Sequence, residues 1–341
     1  MTSIFKKFLG STAIAIAVLA PVSALAEAVQ LKFATIEPPT TPVSQMFQQW
    51  IDEVNAASNG ALEIELFPGG ALGRDPRAQL ELVQNGVTDI AFGFPFLTPN
   101  KFPNDLVTTL PLVIRNASEG TYAHWKLYER EMLSGWDDVV PLLLCTPAPT
   151  NVMSVEDVPT IASLEGLRGS ATNPLAQDIL KALGAVPVSG FNFATAAEAM
   201  SRGQLDFDLV GFTPASIFKQ SEVAISALEI PLGASPCAVF MNREAYDGLP
   251  EEARAVLDAH RGLHFGQMWA ETVERVEAAK RDEFAATEGK SVYTPSEADL
   301  AKAEEVTGPL VQAWIEANAD GSALVEALKA EVQTFRETGW K

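Results

Sequence analysis

Two hydrophobic repeats follow one another in this sequence, and their alternation limits the fold more than any other feature. Behind Pro42, Val43, Met46, Phe47, Trp50, Ile51 and Val54 recur at helical intervals, which puts them on one face of a helix. Leu62, Ile64 and Leu66 then alternate with Glu63 and Glu65, the two-residue repeat of a half-buried strand. Pro68-Gly69-Gly70 breaks the chain, Arg77 to Asn85 reads as a helix ended by Gly86, and Asp89 to Phe94 reads as another strand. Strand and helix in turn predict an α/β sheet. The pattern returns with helices over Leu175 to Leu183 and Thr195 to Arg202, ended by Gly184 and Gly203, and a strand over Asp206 to Phe212. A second α/β unit follows, and Thr146-Pro147-Ala148-Pro149-Thr150 between the units marks a crossing point.

Beyond Leu249-Pro250-Glu251-Glu252 the chain runs to about Glu288 without proline, in strong helix formers broken only by Gly262 and Gly266. A helix of that length exceeds one small domain, so it is expected to bridge two, with a bend near the glycines. Ser296 to Thr338 reads as further amphipathic helix. A chain of 341 residues suits two domains of ordinary size.

Lys6 and Lys7 precede an apolar run from Ala13 to Ala20 and then Ala24-Leu25-Ala26, which predicts a secretory signal peptide cleaved near Ala26. The 24 basic residues of the whole chain face 44 acidic ones, and cleavage removes two lysines and no acid. So acidic a chain, with no basic block, cannot neutralise a line of nucleic-acid phosphates and is repelled by anionic headgroups.

Catalytic signatures are missing: there is no nucleophile elbow, zinc-protease pair, dinucleotide fingerprint or P-loop. His260 and His264 stand four apart on a predicted helix, but no third ligand accompanies them, and no metal or cofactor is expected. His124, beside Trp125, reads as a helix-surface or packing residue. Phe67-Pro68-Gly69-Gly70-Ala71-Leu72-Gly73 lacks the lysine and hydroxyl of a phosphate loop and reads as a turn. Cys145 and Cys237 reach an oxidising compartment, where a disulfide and a pair of buried thiols both remain open.

The succession of Leu31-Lys32-Phe33-Ala34, Ser58-Asn59-Gly60, the Phe67 to Gly73 turn, Glu81-Leu82-Val83-Gln84-Asn85-Gly86-Val87-Thr88-Asp89 and Leu110-Pro111-Leu112 resembles a known family. It is similar to the extracytoplasmic solute-binding proteins of tripartite ATP-independent periplasmic (TRAP) transporters, the DctP type. Leu164-Glu165-Gly166-Leu167-Arg168, Ala199-Met200-Ser201-Arg202-Gly203-Gln204-Leu205-Asp206 and Met241-Asn242-Arg243 extend the likeness over the rest of the chain. The resemblance implies a two-lobed α/β fold with mixed sheets and flanking helices, closing on one small solute that passes to a membrane permease. It implies no enzyme activity, no cofactor, no ATPase and a periplasmic location. A monomer is expected, with residues 27–148 plus 236–274 as lobe I and 149–235 plus 275–341 as lobe II. A binding protein that presents its ligand to a sensor is the alternative, and the sequence does not separate the two.

The family places an arginine for a substrate carboxylate shortly after the Leu164 to Arg168 motif, and Ser170 stands at that place here. Arg168 lies two residues earlier, on the same strand face but about 7 Å away. A second family arginine falls at Thr150, the usual asparagine at Val210 and a polar position at Phe94. With the family's stacking residue at Phe193, and Ile36, Glu37 and Asp208, these are the candidate site residues. The departures remove donors that suit an anion and leave aromatic and acidic groups. An organic acid held by a relocated Arg168, an amine or other cation against Asp208 or Glu37, and a neutral solute all stay open.

Overall fold

The computed structural model describes residues 28–171 and 173–341; the expected signal peptide lies outside the described residues. The chain begins with β1 (Val29–Ala34), α1 (Pro42–Ala57), β2 (Leu62–Phe67), α2 (Gln79–Gln84), β3 (Ile90–Gly93), α3 (Ala117–Glu129) and β4 (Val139–Cys145). It then crosses to β5 (Asn151–Ser154), β6 (Arg168–Ser170), α4 (Pro174–Ala182), β7 (Val186–Pro187), α5 (Phe193–Ser201), β8 (Phe207–Val210), α6 (Phe212–Ile217), α7 (Gln220–Val223) and β9 (Ser226–Leu228). It returns through β10 (Cys237–Asn242), α8 (Arg243–Asp247), α9 (Glu251–His260) and α10 (Leu263–Ala285), and ends with β11 (Ser291–Tyr293), α11 (Glu297–Ala317) and α12 (Gly321–Thr338). Two mixed sheets result, ordered β2-β1-β3-β10-β4 and β11-β9-β5-β8-β6-β7, one in each lobe of a two-lobed α/β fold.

Local chemistry explains the elements that carry lobe I. Thr41 caps α1 by accepting from the Ser44 amide, and Pro42 fills the first turn, where no amide donor is needed. The stripe read from the sequence buries Met46, Phe47, Trp50, Ile51 and Val54. Trp50 stacks on Phe265 of α10, with ring centroids 4.3 Å apart and planes within 4°. β4 is buried at every residue, as a strand covered on both faces must be, so it shows no alternation.

The helical tail departs from expectation in two places. The bend falls at Gly262 alone, whose φ of 69° and closeness to Trp125 leave no room for a side chain: a Cβ would sit 2.6 Å from the indole. Gly266 stays inside α10. The C-terminal segment does not stay with lobe II. Leu324, Val325, Leu328 and Val332 of α12 join the lobe I core beside Trp125 and Trp136, so the expected 275–341 boundary ends before α12.

His124 is fully buried rather than at the surface: its Nε2 lies 2.8 Å from Asp105 Oδ1, and the Trp136 indole donates to the other carboxylate oxygen at 3.3 Å. Cys145 and Cys237 face each other across β4 and β10 with Cα atoms 4.9 Å apart and are bridged. His260 Nδ1 lies 2.7 Å from the Val256 carbonyl, and His264 Nε2 lies 3.1 Å from Glu53 Oε2.

Candidate functional site

The strands of both sheets end toward one another. In lobe I the edge is formed by the ends of β1, β2, β3 and β4, and in lobe II by Asn151, Ser170 and Val210, which the pairing of β5, β6 and β8 puts at one end. Residues 146–150 and 229–236 cross between the edges side by side, the Thr150 amide donating to Gly233 O at 3.1 Å. Gly233 is required there: its φ is 102°, and a Cβ would fall 2.2 Å from Thr109 O. A small pocket against this crossing is lined by Thr150, Thr109, Asn173 and Ser235.

Lobe I contributes the loop after β1. Ile36 and Glu37 are half-buried, and the glycine turn clasps them: the Gly69 amide donates to Glu37 O and the Gly70 amide to Thr35 O. Those amides are therefore occupied and cradle no phosphate. Burial pushes the Glu37 carboxyl above its usual range, with a hydrogen bond to the Thr41 side chain pulling it back in part. Phe94, just past β3, is half-buried between Phe92 and Phe96, with centroids 5.1 and 5.7 Å away.

Lobe II holds a buried carboxyl group. Ser170, at the arginine position, is buried, and its hydroxyl donates to Asp208 Oδ1 at 2.9 Å. Asp208 sits two residues back from the end of β8 and is 1% exposed. Burial pushes its carboxyl up to about 6, against the opposing pull of its bonds from Ser170 and Gln220. The Gln220 amide donates to Phe193 O at 3.0 Å and lies 3.4 Å from Asp208 Oδ2, which fixes the amide's orientation and links Phe193 to the carboxylate. Phe193 stacks on Phe218 at 5.9 Å and 20°.

Two candidates are committed elsewhere. Arg168 forms a two-pronged pair with Asp206, at 2.6 and 3.0 Å, while its own amide also donates to Asp206 Oδ2. That pairing holds the Asp206 carboxyl below its usual range, and the Arg168 side chain faces solvent. Val210 is 0% exposed within the apolar cluster of Met153, Phe212 and Phe284. Gln220 and Phe218 were not legible in the sequence: α7 spans four residues and carries no repeat.

A larger cavity of about 460 Å³ lies on the α10 side of the crossing strands and contains none of the nine candidates. Among the described residues no cluster of three His, Cys, Asp or Glu is arranged to hold a metal, and no helix is long and apolar enough to cross a membrane.

Residues 33–318 match the bacterial extracellular solute-binding protein, family 7, known as DctP. The C4-dicarboxylate-binding periplasmic protein DctP of Rhodobacter capsulatus is 26% identical over 73% of this chain and 75% of its own. A protein of Comamonas testosteroni named outer membrane transporter protein TsaT is 25% identical over 89% of this chain and 90% of its own. A TRAP solute-binding protein of Rhodoferax ferrireducens, solved with copurified benzoate, superposes with a TM-score of 0.80 at 25% identity, covering 91% of this chain and 99% of that one. Family and fold are those of transport proteins and not of enzymes. The chain belongs to the DctP-type TRAP solute-binding proteins, bacterial extracellular family 7.

Proposed function

We propose that this protein captures a small organic solute between its lobes in the periplasm and delivers it to the membrane permease of a TRAP transporter. We further propose that the solute's head is a cation or a neutral hydrogen-bond donor, and that its body is flat and apolar. The observation that carries this reading is Ser170 donating to buried Asp208 where the family pattern calls for an arginine. A solute carboxylate seated there meets no base, and its desolvation goes uncompensated beside a second carboxyl group. An ammonium or hydroxyl head meets acceptors instead. Phe94 in one lobe and the Phe193–Phe218 pair in the other supply apolar walls, and an aromatic face adds roughly 0.5–2 kcal/mol toward a cation. The benzoate found in the Rhodoferax relative supports a ring-bearing solute while differing in the head.

The test compares benzylamine, benzyl alcohol and benzoate, which share a ring and differ in head, by thermal shift at pH 7.5. Stabilisation by the amine or the alcohol, with none by benzoate, is the expected result. Stabilisation by benzoate alone overturns the proposed head.

A further inference from the structure

α10 is tied to both lobes in chain order. The Trp269 indole donates to Thr146 O, at the lobe I end of the first crossing strand, at 2.9 Å. Five residues on, Glu274 Oε1 accepts the Ser118 amide at 2.7 Å, in the first turn of α3 in lobe I. Glu277 then accepts the Phe212 and Thr213 amides at 2.5 and 2.8 Å, at the start of α6 in lobe II. Arg281 follows with a two-pronged pair to Glu229, at 2.6 and 2.9 Å, on the second crossing strand. Anchoring passes from lobe I to lobe II between Glu274 and Glu277, within a single helical turn.

We infer that Glu274 and Glu277 are positioning residues that set the resting angle between the lobes. Each carboxylate takes orphan amides at a helix start, where charge and dipole both favour it. Neither lobe can rotate against the other without breaking one of these bonds or bending α10 between them. That stretch resists bending: the helix has no proline, and its one glycine, Gly266, lies two turns before the switch. The 460 Å³ cavity adjoins the same turn and is lined by Arg115 and Asn116 of lobe I, Asn151 and Phe212 of lobe II, and Glu274 and Glu277 themselves. It gives the lobes room to turn, while the two carboxylates hold them. Gly211 fits the same design, since a Cβ there would lie 2.8 Å from Glu277 Oε1.

The experiment uses the mature chain, with spin labels at exposed Gln48→Cys in lobe I and exposed Arg202→Cys in lobe II, and reads the inter-lobe distance by double electron–electron resonance. Glu274→Gln and Glu277→Gln are each expected to broaden the distance distribution, and their combination to broaden it no more than the larger single change. Glu283→Gln, an exposed neighbour on the same helix, is expected to leave it unchanged. Hydrogen exchange at Phe212 and Thr213 reports whether the cap was lost, with a rise of about tenfold or more expected in Glu277→Gln. Faster exchange with an unchanged distance distribution reduces Glu277 to an ordinary cap and overturns the inference. An unchanged distribution in both single variants overturns it as well.

Discussion

The Ser170 hydroxyl donates to the Asp208 carboxylate at 2.9 Å, and among the described residues no basic group shares the contact. Because burial lifts the Asp208 carboxyl to about 6, the folded chain binds a proton that the unfolded chain has already lost between the ordinary aspartate value, about 3.9, and that point. In that window the native state holds more protons, so this group's contribution to stability falls as pH rises. Wild type is expected to lose up to about 3 kcal/mol relative to Asp208→Asn between pH 4 and pH 7. Urea unfolding of both proteins across that range measures it. Parallel curves would show that Asp208 does not titrate in the window.

Restoring the family base reverses the proposed selectivity. Ser170→Arg puts a guanidinium beside Asp208 and offers a carboxylate a two-pronged partner. Benzoate is expected to raise the melting temperature of this variant and not of wild type. If benzoate has no effect on Ser170→Arg, the lost arginine is not what excludes anions.

Reduction of the Cys145–Cys237 bridge frees a long loop in the unfolded chain, the two residues being 92 apart in sequence. The chain-entropy relation gives about 4–5 kcal/mol for a loop of this size. Urea midpoints with and without dithiothreitol measure the loss, and coincident curves would refute it.

Among the described residues, Asp105 is the only acceptor for two buried donors, His124 Nε2 and the Trp136 indole. Asp105→Ala leaves both groups without a partner in an apolar core and is expected to cost about 3–5 kcal/mol in urea unfolding. A loss below about 1 kcal/mol would mean that water or a rearranged side chain satisfies them.

Much of the fold was legible because its causes are local. The α1 stripe, the β2 alternation and the terminal glycines each act within a few residues. Gly262 carried a clear signal, but the choice between it and Gly266 depends on Trp125, over a hundred residues earlier in the chain. The tail was misplaced for a similar reason: an amphipathic helix such as α12 shows that it needs a partner and not which lobe supplies one. At the site, the sequence identified Ser170 and Asp208 singly, but their bond arises from the pairing of β6 with β8, a register no local pattern encodes. Arg168 looks available in the sequence, but Asp206, 38 residues away, holds it.

The bridge between Cys145 and Cys237 also bears on how the protein survives damage. Both crossing strands and most of lobe II lie between the two cysteines. A protease that cuts anywhere in this span makes a nick and releases no fragment, because the new ends stay joined through lobe I. On a non-reducing gel the nicked protein therefore runs as one species and separates into two only after reduction. An exposed segment of lobe II can be cleaved in the periplasm without shedding half of the solute cleft.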